Sequence, residues 1–432
     1  MRAAPPAPRM RIEIVTIGDE LLLGFTIDTN AAHLARELAG CGVEVVRRAT
    51  VGDRAEEIAD AVRDALDRTG AVIMTGGLGP TADDLTKPAI ADLFGRTLAL
   101  DPSIVAGLER IWAERGRPGA LPPANLQQAM IPDGARVLVN RHGTAPGIWL
   151  EDERGRWAAM LPGVPREMRG MLADELLPLV AARAARAGGA RVVRSRTVRT
   201  TGIAESVLAG TLGDLARGVE GLPLAYLPGF EGVDLRLTAR GLPPDDATRA
   251  LDAGAARLRE RVGRHAYGDD AADLAAVVLD ACRARGLRIA VAESCTGGLL
   301  AARLTAVAGS SDVVDGGVVA YDNRVKRELL GVPEQDLMAH GAVSEVVSRQ
   351  MAAGVRARIG SNVGVGITGI AGPGGGSPEK PVGTVWTTVD VEGRAWARRS
   401  LMIGDRDEVR RRAAQGALDM IRRMVLFPDD GP

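Results

Sequence analysis

Short apolar runs alternate with amphipathic segments over residues 11–180. The runs at residues 12–17, 43–46 and 71–74 have the length and the bulky apolar content of buried strands. Between them, residues 56–66 carry apolar side chains at helical spacing, and another helix is expected near Asn30. Strands that alternate with helices predict a largely parallel sheet in a three-layer domain, with ligands at the carboxyl ends of the strands.

The same alternation returns over residues 271–428, where strands are expected at 287–292, 363–367 and 385–391. Residues 191–264 differ, because the run at 234–240 alternates apolar and polar side chains as a half-exposed strand does. The sequence therefore predicts an α/β protein in which two alternating α/β domains are joined by a small α+β domain. The predicted domains are residues 11–180, 191–264 and 271–428.

Two segments fall outside these domains. Residues 1–10 are rich in Ala and Pro and have no apolar core of a signal peptide, so we expect a disordered tail. Residues 181–190 are rich in Ala, Arg and Gly and are expected to form a linker.

Composition narrows the classes of function. The net charge of −1 across 432 residues gives no electrostatic signal for binding nucleic acid or a membrane. No apolar run approaches the roughly 18 residues of a membrane helix. The three cysteines are widely spaced and odd in number, which indicates reduced thiols in a cytoplasmic protein. The four histidines lack the spacing of zinc ligands.

Lysine is rare: only Lys87, Lys326 and Lys380 occur among the 54 basic residues. All three lie in segments rich in Gly or Asp. A lysine can lose its proton when it is buried, whereas an arginine cannot. We therefore interpret the three lysines as functional, with chance survival on exposed faces as the alternative.

The sharpest candidate chemistry lies at Ser294, where a predicted strand turns into a helix. Backbone N–H groups at such a turn, including those of Thr296 and Gly297, can hold a phosphate or a developing oxyanion. Ser294 is thus placed like a nucleophile, although Ser294 or Thr296 could equally be an N-cap. Cys295 is a rival nucleophile, but no histidine is near it in sequence, so a buried structural role is expected.

A serine nucleophile needs a base, and Lys326 is the better candidate. The only histidine of this region, His340, is expected at a helix end with a structural role. Tyr321 precedes Lys326 by five residues and is a further candidate for the site. A packing role for its side chain is an equal alternative. Thr368 opens a loop containing Gly369 and Gly372, which can approach a ribose or phosphate closely because glycine has no Cβ.

Four segments together resemble the nicotinamide mononucleotide (NMN) deamidases of the CinA (competence/damage-inducible protein A) family. They are AESCTGG at 292–298, YDNRVK at 321–326, TGIAGPGG at 368–375 and GDR at 404–406. The resemblance implies a Ser294 nucleophile, a Lys326 base and a Tyr321 partner. It also implies substrate contacts from Thr368 and Arg406, and no cofactor for deamidation.

The first domain carries a second candidate site. Gly76, Gly77 and Gly79 form a possible phosphate cradle with Lys87, and the carboxylates of Asp83 and Asp84 suit Mg²⁺ or a similar divalent cation. The alternative is a tight turn with a capped helix. GFTIDTN at 24–30 and the segment 75–87 resemble MoaB/MogA-type molybdopterin-binding domains. In CinA-like proteins this implies metal-dependent cleavage of ADP-ribose, with K⁺ as a further candidate ion, although the family more usually has Thr at the position of Asp19.

The middle domain resembles a small KH-like module. Its two G-x-x-G matches, 218–221 and 229–232, each carry a glutamate where a nucleic-acid backbone would need a cation. We therefore expect turns, and a spacer or dimer element, with a homodimer as the assembly. The expected ligands are the nucleotides NMN and ADP-ribose. The alternatives are a non-catalytic competence or DNA-damage adaptor and a molybdopterin-binding protein.

Overall fold

The computed structural model of the chain describes residues 10–186 and 191–431. The expected tail at residues 1–10 lies outside the described residues except for Met10. The last four residues of the expected linker at 181–190 also lie outside them. The start of that linker is instead helical as far as Arg186. The described residues form two compact units. The first unit contains the residues up to 194 together with residues 239–248, and the second contains residues 195–238 together with the residues from 249 onward.

The first unit is built on a mixed sheet flanked by helices. Its strands are β1 (Arg11–Ile17), β2 (Glu44–Val51), β3 (Ala71–Thr75), β4 (Leu98–Leu100), β5 (Met130–Pro132), β6 (Arg136–Leu138), β7 (Gly147–Glu151) and β8 (Trp157–Leu161). Its helices are α1 (Asp19–Leu22), α2 (Thr29–Gly40), α3 (Ala55–Thr69), α4 (Thr86–Leu93), α5 (Pro102–Glu114), α6 (Pro165–Met171) and α7 (Leu177–Arg186). The main sheet has the order β2-β1-β3-β8-β7-β6. The pairs β1–β2, β1–β3 and β3–β8 are parallel, whereas β7 and β6 are added antiparallel.

Both faces of the central strands β1, β3 and β8 are buried, as the unbroken apolar runs predict. In β3, Ile73 packs in a cluster with Leu34 of α2, while Met74 packs in a different cluster with Ile58 of α3. Successive strand side chains point to opposite faces, so the helices cover the sheet on two sides. The predicted three-layer α/β architecture is confirmed.

The middle domain forms a four-stranded sheet with the order β10-β11-β9-β12. Its elements are β9 (Val192–Thr200), α8 (Glu205–Leu212), β10 (Leu224–Pro228), β11 (Val233–Leu242), α9 (Pro244–Val262) and β12 (Ala266–Asp269). Strand β11 buries every second side chain from Val233 to Ala239, which confirms the half-exposed strand expected at 234–240.

The C-terminal domain has a five-stranded sheet with the order β14-β13-β15-β16-β17. Its strands are β13 (Ile289–Glu293), β14 (Val314–Val319), β15 (Val363–Gly369), β16 (Thr384–Val391) and β17 (Arg394–Leu401). Its helices are α10 (Leu274–Arg283), α11 (Leu299–Thr305), α12 (Asn323–Leu330), α13 (Glu334–His340), α14 (Glu345–Ile359) and α15 (Arg406–Leu426). Strand β13 is parallel to both neighbours, and β16 and β17 are antiparallel.

The faces of this sheet carry separate apolar clusters. Val291 of β13 packs with Leu418 of α15, and its neighbour Ala292 packs with Met351 of α14. Across the described ranges, no helix combines the length and the apolar composition that a membrane span requires.

Candidate active site

Three of the predicted site residues leave the sheet of the C-terminal domain at one edge. In the register of the parallel strands, Glu293 lies opposite Val319 of β14 and Ile367 of β15. The Ser294 N–H donates to the carbonyl of Ile367 at 2.9 Å, which holds the start of the turn against β15. Ser294, Tyr321 and Thr368 therefore lie at the carboxyl ends of three adjacent strands.

The turn that carries Ser294 is buried and internally bonded. Ser294 is 8% exposed, and its carbonyl accepts from the Gly297 N–H at 3.1 Å. Gly297 has a φ of +62°, a conformation that a residue with a side chain seldom adopts. The turn thus needs the glycine that the sequence provides.

Glu293 changes the expectation of free N–H groups at the start of α11. Its buried carboxylate accepts from Leu300 N at 3.0 Å and from Ala301 N at 2.8 Å. These two donors are therefore not free for a phosphate or an oxyanion. The Gly297 N–H, which we expected to be free, is also occupied, because it donates to the Ser294 carbonyl. In the described part of the chain, the N–H groups of Thr296 and Gly298 donate to no backbone carbonyl.

Lys326 lies on α12 and is almost completely buried, at 1% exposure. Its Nζ donates to the carbonyl of Tyr321 at 3.1 Å. Burial lowers the pKa of Lys326 below its ordinary value, and the nearby Asp322 carboxylate only partly opposes this. Desolvation of this kind favours the neutral amine, which is the form that can accept a proton.

Cys295 is buried in the apolar core beside the candidate nucleophile. Burial raises the pKa of its thiol to about 12, so the thiolate is scarce at neutral pH. The expected structural role of Cys295 is consistent with this environment.

Arg406 connects Tyr321 with the glycine loop. One guanidinium nitrogen donates to the Tyr321 hydroxyl at 3.1 Å and the other to the Gly372 carbonyl at 2.8 Å. The Tyr321 side chain is 62% exposed, so its hydroxyl remains accessible. In the described residues no hydrogen bond joins Ser294, Lys326 and the Tyr321 hydroxyl directly to one another.

The glycine loop borders an open cavity of about 470 Å³. Ala371, Pro373 and Val382 give it an apolar wall, and Arg406 supplies a cation. Thr368 is buried, and its hydroxyl donates to the Ala342 carbonyl at 2.8 Å. The hydroxyl oxygen can therefore only accept further hydrogen bonds.

The third lysine lies at the far side of the same loop. Lys380 Nζ donates at 2.7 Å to the carbonyl of His340, the last residue of α13. A cation at the C-terminal end of a helix is stabilised by the partial negative charge there. This contact fixes the loop against α13, and it confirms the helix-end position predicted for His340.

In the first unit, the glycine segment after β3 is tightly packed. A Cβ on Gly77 would lie 2.2 Å from Thr86 Oγ1, and that hydroxyl donates to the Gly76 carbonyl at 2.9 Å. The Asp84 carboxylate accepts from Gly79 N at 2.7 Å and from Thr81 N at 2.8 Å. Asp84 therefore shapes this loop through its own hydrogen bonds.

Asp83 is exposed, and Lys87 is buried with its Nζ on the Gln127 carbonyl. Burial lowers the pKa of Lys87 to about 8, against the opposing charge of Asp84. No group of three or more His, Cys, Asp or Glu side chains within residues 10–186 and 191–431 is arranged to hold a metal ion. A divalent cation at Asp83 and Asp84 therefore stays a prediction.

Sequence reasoning missed Glu293 and Arg410. Arg410, one turn along α15 from Arg406, donates to the Thr296 carbonyl from Nε at 3.3 Å and from Nη2 at 3.0 Å. The available signal for Glu293 was a carboxylate at the end of an otherwise apolar strand, and for Arg410 it was the helical spacing of four residues from Arg406.

Asn30 lies in the first turn of α2, and its side chain has a structural role that the sequence does not indicate. Its amide nitrogen donates to the Thr75 hydroxyl at 3.2 Å and to the Gly163 carbonyl at 2.7 Å. Its buried Oδ1 has no partner in the described residues. This side chain therefore supports the end of β3, directly before the glycine segment.

Comparison with known proteins gives matches to three family profiles. They are the CinA C-terminal domain at residues 271–425, the probable molybdopterin binding domain at residues 13–182 and the damage-inducible protein CinA KH domain at residues 195–268.

Two curated relatives match over almost the whole chain. A CinA-like protein of Gemmatimonas aurantiaca is 65% identical over 415 residues, covering 96% of each chain. A CinA-like protein of Salinibacter ruber is 44% identical over 417 residues, covering 96% of this chain and all of the relative.

Two solved structures each match part of this chain. The competence/damage inducible protein CihA of Agrobacterium tumefaciens is 44% identical and covers 34% of this chain and 90% of its own, with a TM-score of 0.34. The CinA protein of Thermoplasma acidophilum is 36% identical and covers 38% of this chain and 95% of its own, with a TM-score of 0.35.

Proposed function

The chain belongs to the CinA family, and on that premise we propose that its C-terminal domain hydrolyses the carboxamide of NMN. The products are nicotinate mononucleotide and ammonia. The observation that carries the proposal is Lys326, a buried amine with a lowered pKa. It lies on α12, which follows β14, and β14 pairs with β13, the strand that ends directly before Ser294. A serine and a neutral lysine are sufficient for acyl transfer without a cofactor.

The reaction has two halves. The Ser294 hydroxyl attacks the carboxamide carbon, and its proton passes to the neutral amine of Lys326. The C–N bond then breaks, the leaving nitrogen takes that proton, and ammonia departs from a Ser294 ester. Water attacks the ester carbon, a proton returns to the Ser294 oxygen, and the carboxylate product is released.

The remaining site residues bind substrate in this proposal. Arg406 presents its guanidinium beside the cavity, where it can pair with the phosphate of a mononucleotide. The Thr296 hydroxyl is fully buried without a partner in the described residues, which leaves it free to bond to substrate. Gly297 and Gly372 allow close approach of the ligand to the main chain, whereas Gly369 lies in β15, where a Cβ would lie 2.7 Å from a Val385 methyl group.

The direct test is ammonia release by the full chain. NMN should be hydrolysed, and nicotinamide, which lacks the ribose phosphate that Arg406 would bind, should be a much poorer substrate. Equal rates with both compounds would contradict the phosphate-binding role proposed for Arg406. The absence of ammonia from every nicotinamide nucleotide would favour the non-catalytic adaptor.

A second proposal concerns the first unit, which we infer to hydrolyse the pyrophosphate bond of ADP-ribose. It is supported by the packed glycine segment, the buried amine of Lys87 and the exposed carboxylate of Asp83. A bound divalent cation would offset the charge of the pyrophosphate. Hydrolysis of ADP-ribose that stops on addition of a chelator would support this proposal over a molybdopterin-binding role, which predicts binding without hydrolysis.

A further inference from the structure

One loop of the KH-like domain lies against the amidase helices. It is the second G-x-x-G match, residues 229–232. The Glu231 carbonyl accepts from Gln415 Nε2 of α15 at 2.9 Å, and the Glu231 carboxylate lies 3.5 Å from Arg303 of α11. Beside it, the ring of Phe230 lies under the guanidinium groups of Arg411 and Arg412, at 5.7 and 5.6 Å. This loop therefore contacts both helices that border the Ser294 turn.

Gln415 is the centre of this contact and is 3% exposed. Its Oε1 accepts from Arg303 Nη1 at 2.5 Å, while its Nε2 serves the Glu231 carbonyl and lies 3.4 Å from Thr201 Oγ1. When one partner of such a buried amide is removed, the amide group left without a hydrogen bond destabilises the contact. The amide thus joins α11, α15 and the middle-domain loop.

The same two helices fix the nucleophile. Helix α11 begins at Leu299, five residues after Ser294. Helix α15 begins with Arg406 and, through Arg410, holds the Thr296 carbonyl within the turn. A displacement of either helix would therefore move the Ser294 turn.

The loop is not arranged as a nucleic-acid contact. The Glu231 carboxylate lies 2.5 Å from Arg199 and 3.5 Å from Arg303, so it already offsets the charge of two cations beside the loop that a phosphate would need. Gly232 has a packing reason for being glycine, since a Cβ there would lie 1.9 Å from the Thr200 carbonyl.

We propose that Glu231 and Gln415 are positioning residues for the amidase, so that the KH-like domain acts as a structural part of the C-terminal active site. The inference rests on the proposed deamidase function. Neither residue touches the substrate. Their contacts keep α11 and α15 in the arrangement that orients Ser294, Thr296 and Arg406.

The chain contains a matched control. Glu220 holds the equivalent place in the other G-x-x-G match, is 48% exposed like Glu231, and pairs with Arg257 inside the middle domain. Glu231→Gln removes the charge that faces Arg199 and Arg303 and leaves the main-chain bond to Gln415 in place. It should lower kcat for ammonia release about threefold while the KM for NMN changes little, because a misoriented nucleophile slows the chemical step. Glu220→Gln should keep both constants near the parent values.

A second variant removes the amide itself. Gln415→Leu should lower kcat by about tenfold or more, since misplacement by a fraction of an ångström is costly at a reacting centre. Thermal melting of each variant reports the folded fraction. Equal kinetic effects of Glu231→Gln and Glu220→Gln, or losses explained entirely by unfolded protein, would overturn the inference.

Backbone hydrogen exchange separates this inference from the reaction itself. In Glu231→Gln and Gln415→Leu, the amides of residues 296–301 should exchange faster than in the parent, and in Glu220→Gln they should not. Should the parent release no ammonia, the proposed function fails, yet faster exchange confined to the first two variants still supports the structural link. Unchanged exchange in all three variants contradicts it.

Discussion

At the scale of single residues, the three lysines share one kind of contact. Lys87 donates to the Gln127 carbonyl, Lys326 to the Tyr321 carbonyl and Lys380 to the His340 carbonyl. A compact ammonium can reach a single main-chain oxygen in a confined space, where the broad fork of arginine needs more room and more acceptors. This contact gives a physical reason for lysine at each of these positions in an arginine-rich chain.

The first prediction concerns the nucleophile. Ser294→Ala should abolish ammonia release from NMN with the fold intact, because the variant lacks the hydroxyl that attacks the carboxamide carbon. Cys295→Ala should keep most of the activity, since burial holds the Cys295 pKa at about 12 and the thiol un-ionised.

Steady-state ammonia release together with circular dichroism checks both variants. A dead Cys295→Ala beside an active Ser294→Ala would assign the reaction to the thiol instead.

At this scale the sequence predicts which residue types lie at which positions in the fold. It does not predict the hydrogen-bond partner of each side chain. The placement of Ser294 and Thr368 after the strands expected at 287–292 and 363–367 was enough to bring these two residues to one edge of the sheet. The carboxylate contact of Glu293 with Leu300 N and Ala301 N depends on the exact path of the turn, which no periodicity encodes.

At the scale of elements, the Ser294 turn depends on Glu293. Glu293→Ala would leave the N–H groups of Leu300 and Ala301 in a buried site without an acceptor. We expect a loss of about 1–3 kcal/mol in the free energy of unfolding, measured by urea denaturation.

Glu334→Ala is the control, because Glu334 also pairs within the C-terminal domain, with Arg327, but is 65% exposed. Its effect should stay below about 1 kcal/mol. Similar losses in the two variants would show that the buried carboxylate has no special role in the turn.

The elements themselves followed the apolar pattern closely. The strand expected at 363–367 is β15, and it extends to Gly369, so that Thr368 belongs to the strand and not to the loop. The sequence over residues 408–424 also predicts a closing helix, and this helix begins two residues earlier, at Arg406. Both differences arise at element ends, where hydrogen bonds and caps such as Asp405 decide the boundary instead of apolar spacing.

At the scale of the whole molecule, each compact unit carries its own candidate site, and this separation is testable. Asp84→Ala removes the carboxylate that bonds to Gly79 and Thr81, so the glycine segment should lose its shape. Cleavage of ADP-ribose should fall by at least about tenfold, while ammonia release from NMN stays at the parent rate.

Both rates are measured on the same preparation, with Asp92→Ala as a control substitution of an aspartate elsewhere in the first unit. Unchanged cleavage in Asp84→Ala would remove the glycine segment from that reaction. A parallel fall in both activities would indicate general unfolding.

Sequence alone was sufficient for the α/β class and for the family of the three regions. It was not sufficient for the role of the KH-like domain. The glutamates of its two G-x-x-G matches argued against nucleic acid, but Glu220 and Glu231 look alike in sequence. Only the folded chain shows that Glu231 lies against α11 and α15 while Glu220 pairs with Arg257.

The central claim is that Lys326 is the general base for Ser294, and the most direct test is the pH dependence of ammonia release. Because burial lowers the pKa of Lys326, kcat/KM for the parent should rise with pH as the ammonium loses its proton, and then level off. Lys326→Arg should be as inactive as Lys326→Ala across that range, since a guanidinium stays protonated. Activity of Lys326→Arg within about tenfold of the parent, a difference of about 1.4 kcal/mol in the barrier, would contradict the account and leave Lys326 as a fixed positive charge.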